Sequence, residues 1–231
     1  MLLAAPPLLP LLLVLTAPVI AVATAATTAA AVDVSVVIAQ FTRPALLLKQ
    51  LSRVLRADSV GRQTLVANGT ETEWIVIDDP PTAASCLAAA QFVRVLGAPA
   101  AARVRYHCVP GSRALTVGAK RNIGVRLARG AVVVLWDADD VFGAERLTLQ
   151  VRALRERRVA LAALAYSHVL DLRTSPIALY ELDGGGDAGG GGGPHYATLA
   201  FARSLVTADG LVFPNTSISD DFAFAALAVD G

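Results

Sequence analysis

The stretch Val132-Val133-Val134-Leu135-Trp136-Asp137-Ala138-Asp139-Asp140 decides the fold. Its first five residues are apolar and mostly β-branched or aromatic, the pattern of a strand buried on both faces. It then stops at three carboxylates within four positions. Acidic groups at the carboxyl end of such a strand stand where open α/β sheets bind ligands. Carboxylates this close repel one another unless a cation is present, and a hard divalent metal takes oxygen ligands of this kind. Taken alone, Asp-x-Asp-Asp is more often a turn, because Asp caps helices and tolerates turn geometry. The rest of the chain must decide between the two readings.

Working outward, similar apolar runs recur. Val34 to Ala39, Trp74 to Ile77 and Val104 to Val109 read as strands. Helical spacing follows each of them: Leu47, Leu51, Val54 and Leu55 after Pro44, then residues 82–96 closed by Gly97, then residues 116–129 closed by Gly130. Residues 145–158 form a basic amphipathic helix with a solvated face, and residues 159–170 contain a further strand. The alternation predicts a mostly parallel α/β sheet flanked by helices, with right-handed crossovers, in a single domain over residues 33–231. Residues 58–72 read as a polar surface loop. Residues 183–194 are a glycine tract without strand-then-helix context, so they read as a flexible loop and not a phosphate loop.

Composition narrows the class. Lys and Arg total 20 against 19 Asp and Glu, which gives no nucleic-acid footprint. Lysine occurs only at Lys49 and Lys120, so arginine supplies nearly all positive charge. Residues 1–32 carry no charged side chain and include an apolar stretch from Leu8 to Val22 followed by small residues. This reads as a secretory signal peptide or, since no basic residue precedes it, as a signal anchor through residues 2–31. Both place the domain in the secretory pathway, in the ER or Golgi lumen or outside the cell. Asn68-Gly69-Thr70 and Asn215-Thr216-Ser217 match the N-glycosylation pattern, with Asn68 expected to be the better-used site. Cys86 and Cys108 either pair in that oxidising setting or pack as free thiols. His107, His168 and His195 show no metal spacing.

Five polar clusters fall in order at or after the carboxyl ends of the predicted strands: Phe41-Thr42-Arg43, Asp78-Asp79, Lys120-Arg121-Asn122, Asp137-Ala138-Asp139-Asp140 and Asp220-Asp221. Each has an ordinary explanation by itself: a core aromatic, a turn before Pro80-Pro81, a solvated pair, a turn, a helix cap. Their order and spacing together resemble the GT-A glycosyltransferases of the family 2 type, over blocks 34–44, 73–79, 118–140 and 198–224. The resemblance implies that Phe41 stacks on the nucleotide base and Asp79 hydrogen-bonds it. Arg121, in Ala119-Lys120-Arg121-Asn122-Ile123-Gly124, faces the nucleotide. It further implies that Asp139 is the metal ligand, helped by Asp137, which also lies near the ribose. Asp221 is the catalytic base, with Asp220 beside it where the family carries Glu.

The implied cofactor is Mn²⁺ or Mg²⁺. The implied partners are a nucleotide-sugar donor and a saccharide or glycoconjugate acceptor. The implied reaction is transfer to an acceptor hydroxyl with inversion. The chain ends ten residues after Asp221, before the aromatic and basic segment that the family often places there. A catalytically inactive nucleotide- or saccharide-binding protein on the same scaffold is therefore the alternative. A nucleotidyltransferase is disfavoured, because no glycine-rich signature accompanies the first strand.

Overall fold

A computed structural model describes residues 20–21, 32–41, 43–59, 61–111, 115–164, 166–171, 178–183 and 195–230. Four parallel strands build its centre: β2 (Val34–Gln40), β3 (Thr72–Asp78), β4 (Val104–Cys108) and β5 (Val132–Leu135). They belong to a seven-stranded sheet of order β1-β4-β3-β2-β5-β9-β6. The two-residue β1 (Ile20–Ala21) lies antiparallel to β4 at one edge. At the other edge, β9 (His195–Ala202) runs antiparallel to both β5 and β6 (Leu161–Leu164). β7 (Tyr166–Asp171) and β8 (Ala178–Asp183) pair as a separate ribbon.

Period-two alternation in the central strands fills two cores. Val36 and Ile38, Trp74 and Val76, and Val132 and Val134 point to one face. There they meet α1 (Pro44–Leu55), α3 (Ala89–Leu96) and α6 (Arg146–Arg157) through Leu47, Leu51, Phe92, Leu147 and Val151. Val37, Ile75, Ile77, Val133 and Leu135 point to the other face. They meet Val125 of α5 (Val117–Leu127) and Phe224 of α8 (Asp220–Asp230). Strands covered on both sides explain why the runs are continuously apolar.

Several boundaries differ from the sequence expectation. The helix expected over 82–96 is split: a 3₁₀ turn spans Ala83–Ser85, and α3 starts only at Ala89. Between them Cys86 and Ala88 take extended backbone, with ψ of 140° and 150°, and Cys86 is tied to Cys108. The loop expected over 58–72 contains α2 (Thr64–Ala67), with short α4 (Ala98–Ala101) and α7 (Ser204–Thr207) elsewhere. The further strand expected over 159–170 is two strands, β6 and β7. Cys86 and Cys108 form a disulfide, with Cα atoms 5.9 Å apart, tying the loop after β3 to the end of β4. The N-terminal segment lies outside the described residues except for Ile20–Ala21 and Val32, as does the glycine tract beyond Asp183. Among the described residues no helix is long and apolar enough to cross a membrane.

The strand order fixes where a ligand can sit. From β2 the chain steps outward to β3 and β4, then returns past β2 to β5. The loops after β2 and β5 therefore diverge and leave a crevice at the carboxyl edge.

Candidate active site

That crevice holds a cavity of about 380 Å³, lined by Gln40, Phe41 and Arg43 after β2 and by Asp137, Ala138 and Asp139 after β5. Arg121 of α5 closes its floor, and Ser217, Ser219, Asp220 and Asp221 close its far wall. Sequence clusters separated by up to 180 positions thus converge at one switch point.

Arg121 is the electrostatic centre. Its side chain is buried, and its guanidinium lies 2.9 Å from Asp220, 3.3 Å from Asp221 and 3.3 Å from Asp137. Burial opposes its charge, but the three carboxylates outweigh that and hold Arg121 above its ordinary value. Asp220 and Asp137 are pushed the other way. Burial raises both above the usual carboxylate range, although Arg121 pulls them down. The two adjacent acids of α8 are not equivalent. Asp220 is 4% exposed and spent on Arg121, whereas Asp221 keeps 17% exposure at the cavity wall.

Close packing delivers these groups. A Cβ on Gly124 would strike Cγ1 of Val37, so this glycine lets α5 lie against β2. A Cβ on Gly118 would strike the carbonyl oxygen of Pro214. The 213–217 loop is stitched to α5 around it. Asn122 donates to the Phe213 carbonyl (2.7 Å) and accepts from its N–H (2.8 Å), and Gly118 N–H donates to Thr216 (3.0 Å). Thr116 caps α5 by accepting from Ala119 N–H and donates its hydroxyl to Asn215 Oδ1 (2.6 Å). Ser219 then takes a left-handed φ of 56°, costly for a side-chain-bearing residue, and starts α8 with both carboxylates in its first turn.

The predicted residues separate into two groups. Phe41, Arg121, Asp137, Asp139, Asp220 and Asp221 all line the cavity. Phe41 is half exposed at the rim, placed as a stacking platform would be, with the Lys120 ammonium 5.2 Å from its ring centre. Asp79 is not on the wall: it is buried and ion-paired with Lys120. Its neighbour Asp78 accepts from the Tyr106 hydroxyl (2.6 Å), and burial raises its affinity for a proton. The structure thus uses Asp78-Asp79 to anchor the loop and Lys120 beneath the rim.

Arg43 had no role in the sequence reading beyond its cluster. It donates to Asp139 across the cavity at 2.7 Å, with both side chains more than half exposed. Asn122 and Thr116 were also unassigned; their partners lie about 90 or more positions away, which no local pattern reveals.

A divalent cation fits the chemistry of this donor set. Four carboxylates, Asp137, Asp139, Asp220 and Asp221, face two guanidinium groups, Arg43 and Arg121. The surplus is two negative charges, carried on hard oxygen donors. Among the described residues no group of three His, Cys, Asp or Glu side chains forms a metal cage of its own. A cation shared with substrate phosphates needs only one or two protein carboxylates.

Comparisons with known proteins match this geometry. No curated protein sequence matches the chain. Staphylococcus aureus TarS (residues 1–349, in complex with UDP-GlcNAc) superposes with a TM-score of 0.56 at 16% identity, over 85% of this chain and 53% of that one. The Pyrobaculum calidifontis mannosyltransferase PcManGT, in complex with GDP-Man and Mn²⁺, gives 0.53 at 19% identity, over 85% and 51%. Mycobacterium tuberculosis glucosyl-3-phosphoglycerate synthase gives 0.51 at 17% identity, over 86% and 66%. The chain therefore spans less than two thirds of each of these proteins, and they share its GT-A fold. The family profile described as glycosyl transferase family 2 matches residues 35–181, more than half of the chain. By that match, carried on the fold and crevice described above, the chain belongs to glycosyl transferase family 2.

Proposed function

We propose that this protein transfers a sugar from a nucleotide-diphospho-sugar to an acceptor hydroxyl, with inversion at the anomeric carbon. The observation that carries the reading is the convergence of Phe41, Arg121, Asp139 and Asp221 on one cavity at the sheet's switch point. Phe41 stacks on the base at the rim, and Arg121 supplies fixed positive charge in the floor. Asp139, with Asp137, would hold Mn²⁺ or Mg²⁺, which as a Lewis acid would stabilise the charge developing on the departing diphosphate. Arg43 exchanges its partner Asp139 for substrate phosphate when the donor binds.

Asp221 accepts the acceptor's proton. A sugar hydroxyl is a poor nucleophile at neutral pH, and a positioned carboxylate contributes typically about 10²–10⁴-fold. Its Oδ1 accepts the Phe222 N–H at 2.8 Å and its Oδ2 lies 3.3 Å from Arg121, which fixes the group's orientation. The base stands on the α8 wall and the leaving group on the β5 wall. Attack and departure on opposite faces give inversion. The Cys86–Cys108 disulfide and the apolar N-terminal segment support a secretory-pathway address.

Thermal unfolding with a panel of nucleoside diphosphates and nucleotide sugars, with and without Mn²⁺, tests the donor site. A ligand at ~100 times its dissociation constant stabilises the folded state by about 2.7 kcal/mol. That is a shift of roughly 5–10 °C for a chain of this size. Asp139→Asn should abolish the Mn²⁺-dependent part of the shift. No shift with any ligand, or an undiminished one in Asp139→Asn, would contradict the proposal.

A further inference from the structure

A second cavity opens at the opposite end of the sheet, where the parallel strands begin. It measures about 370 Å³ and lies where α1 and α3 end and β4 starts. Seven-residue strands separate it from the crevice by about 20 Å. Leu55, Val66, Leu96, Pro99 and Ala100 form its apolar wall, and Arg56, Arg62 and Arg103 bring three guanidinium groups into it.

The three arginines are differently engaged. Arg56 is neutralised by Asp58, the one carboxylate on the wall, through two hydrogen bonds of 2.9 and 2.6 Å. Arg103 donates to the Thr70 carbonyl and the Thr72 hydroxyl, and among the described residues it has no acidic partner within ion-pair distance. Arg62 is the unsatisfied member. Its Nε is hidden from solvent and has no hydrogen-bond acceptor, and among the described residues its guanidinium meets no carboxylate. That N–H is out of a ligand's reach, but Arg62 still lines the cavity and, like Arg103, brings to it a positive charge that pairs with no carboxylate among the described residues. A guanidinium fork matches tetrahedral oxyanions in two-point geometry.

We propose that this cavity is a binding site for a tetrahedral oxyanion, a phosphate or sulfate group, gripped by Arg62 and Arg103 and separate from the donor crevice. The apolar wall leaves room for a sugar-sized body bearing that group. The site does not depend on the transferase reading, because none of its residues lines the crevice.

The test uses the full chain and inorganic phosphate as probe, with glucose 6-phosphate and glucose 6-sulfate as the two ester arms. Binding is read by titration calorimetry and thermal shift at matched ionic strength. Wild type should bind phosphate, and one or both esters should bind more tightly than the free ion. Arg62→Gln should weaken phosphate binding about tenfold or more, because a two-point charged contact is lost, with Arg62→Lys intermediate. Both variants should keep the Mn²⁺-dependent nucleoside diphosphate shift. Equal phosphate affinity in wild type and Arg62→Gln, or an equal response to sodium chloride alone, would overturn the proposal. Loss of the nucleotide shift alone, with phosphate binding intact, would count against the transferase reading and not this site.

Discussion

Replacing Arg121 by Met is the sharpest single perturbation. The change keeps most of the side-chain volume and removes the charge that Asp137, Asp220 and Asp221 share. Breaking a buried ion pair from one side typically costs about 3–5 kcal/mol, because a charge is left behind without a partner. Here two of the three carboxylates keep water contact, Asp137 at 33% and Asp221 at 17% exposure. Solvent screening moves the expected loss to the lower end, about 3 kcal/mol. For a chain of this length that lowers the melting temperature by roughly 6–12 °C at neutral pH.

The sign of the pH dependence follows. Asp137 and Asp220 already have raised proton affinity in the folded state because of burial. A carboxyl raised in the folded state binds more protons there than in the unfolded chain, so stability falls as pH rises through that window. Losing Arg121 raises both groups further and widens the window toward neutral pH. Arg121→Met should therefore recover part of its lost stability when pH drops from 7.5 to 5.5, and wild type should change less. The assay is thermal unfolding of both proteins at three pH values in that range. A loss below about 1 kcal/mol at pH 7.5, or parallel pH curves for the two proteins, would refute the claim that Arg121 neutralises this cluster.

Gly124→Ala should cost about 1–3 kcal/mol by forcing α5 off Val37, and should weaken nucleotide binding because Arg121 rides on that helix; unchanged stability and affinity would show that β2 can yield. Cys86→Ser should cost roughly 3 kcal/mol, the chain-entropy value for a crosslink with a sequence separation of 22, and reduction of wild type should reproduce the loss in urea unfolding. Glycan mapping of protein made in a secretory host should find Asn68, exposed at the end of α2, occupied ahead of Asn215. The Asn215 side chain already accepts the Thr116 hydroxyl beside the crevice, and glycan on Asn215 alone would contradict this.

Much of the fold was legible because buried parallel strands write themselves as continuous apolar runs. Val34 to Ala39, Trp74 to Ile77 and Val132 to Leu135 needed no tertiary information, and strand–helix alternation then restricted the topology. The ordered polar clusters carried most of the candidate site, since four of the five sit at or just past a strand end or at a helix start, and Lys120-Arg121-Asn122 follows within α5. Asp79 was not legible. Whether an acid after a strand faces a crevice or a buried lysine depends on the tilt of the loop, here set by Pro80, the disulfide and Lys120. The Arg43–Asp139 pair and the Asn122–Phe213 clasp join residues roughly 90 or more positions apart, and nothing in either segment announces the other. The left-handed Ser219 was equally hidden, because its backbone is held by the packing of the 213–217 loop on α5 and not by its own preference.

The central claim is that the crevice activates an acceptor through Asp221 while Asp139 and Arg121 hold the departing diphosphate. Its most direct test is nucleoside diphosphate release from a panel of nucleotide sugars with Mn²⁺, the sugar passing to water or to a supplied panel of saccharide acceptors, by wild type and Asp221→Asn, with diphosphate affinity measured alongside. Wild type should release diphosphate from at least one donor. Asp221→Asn should fall by about 10²-fold or more with affinity unchanged. Absence of release from every donor, or equal release by the variant, would contradict the assignment.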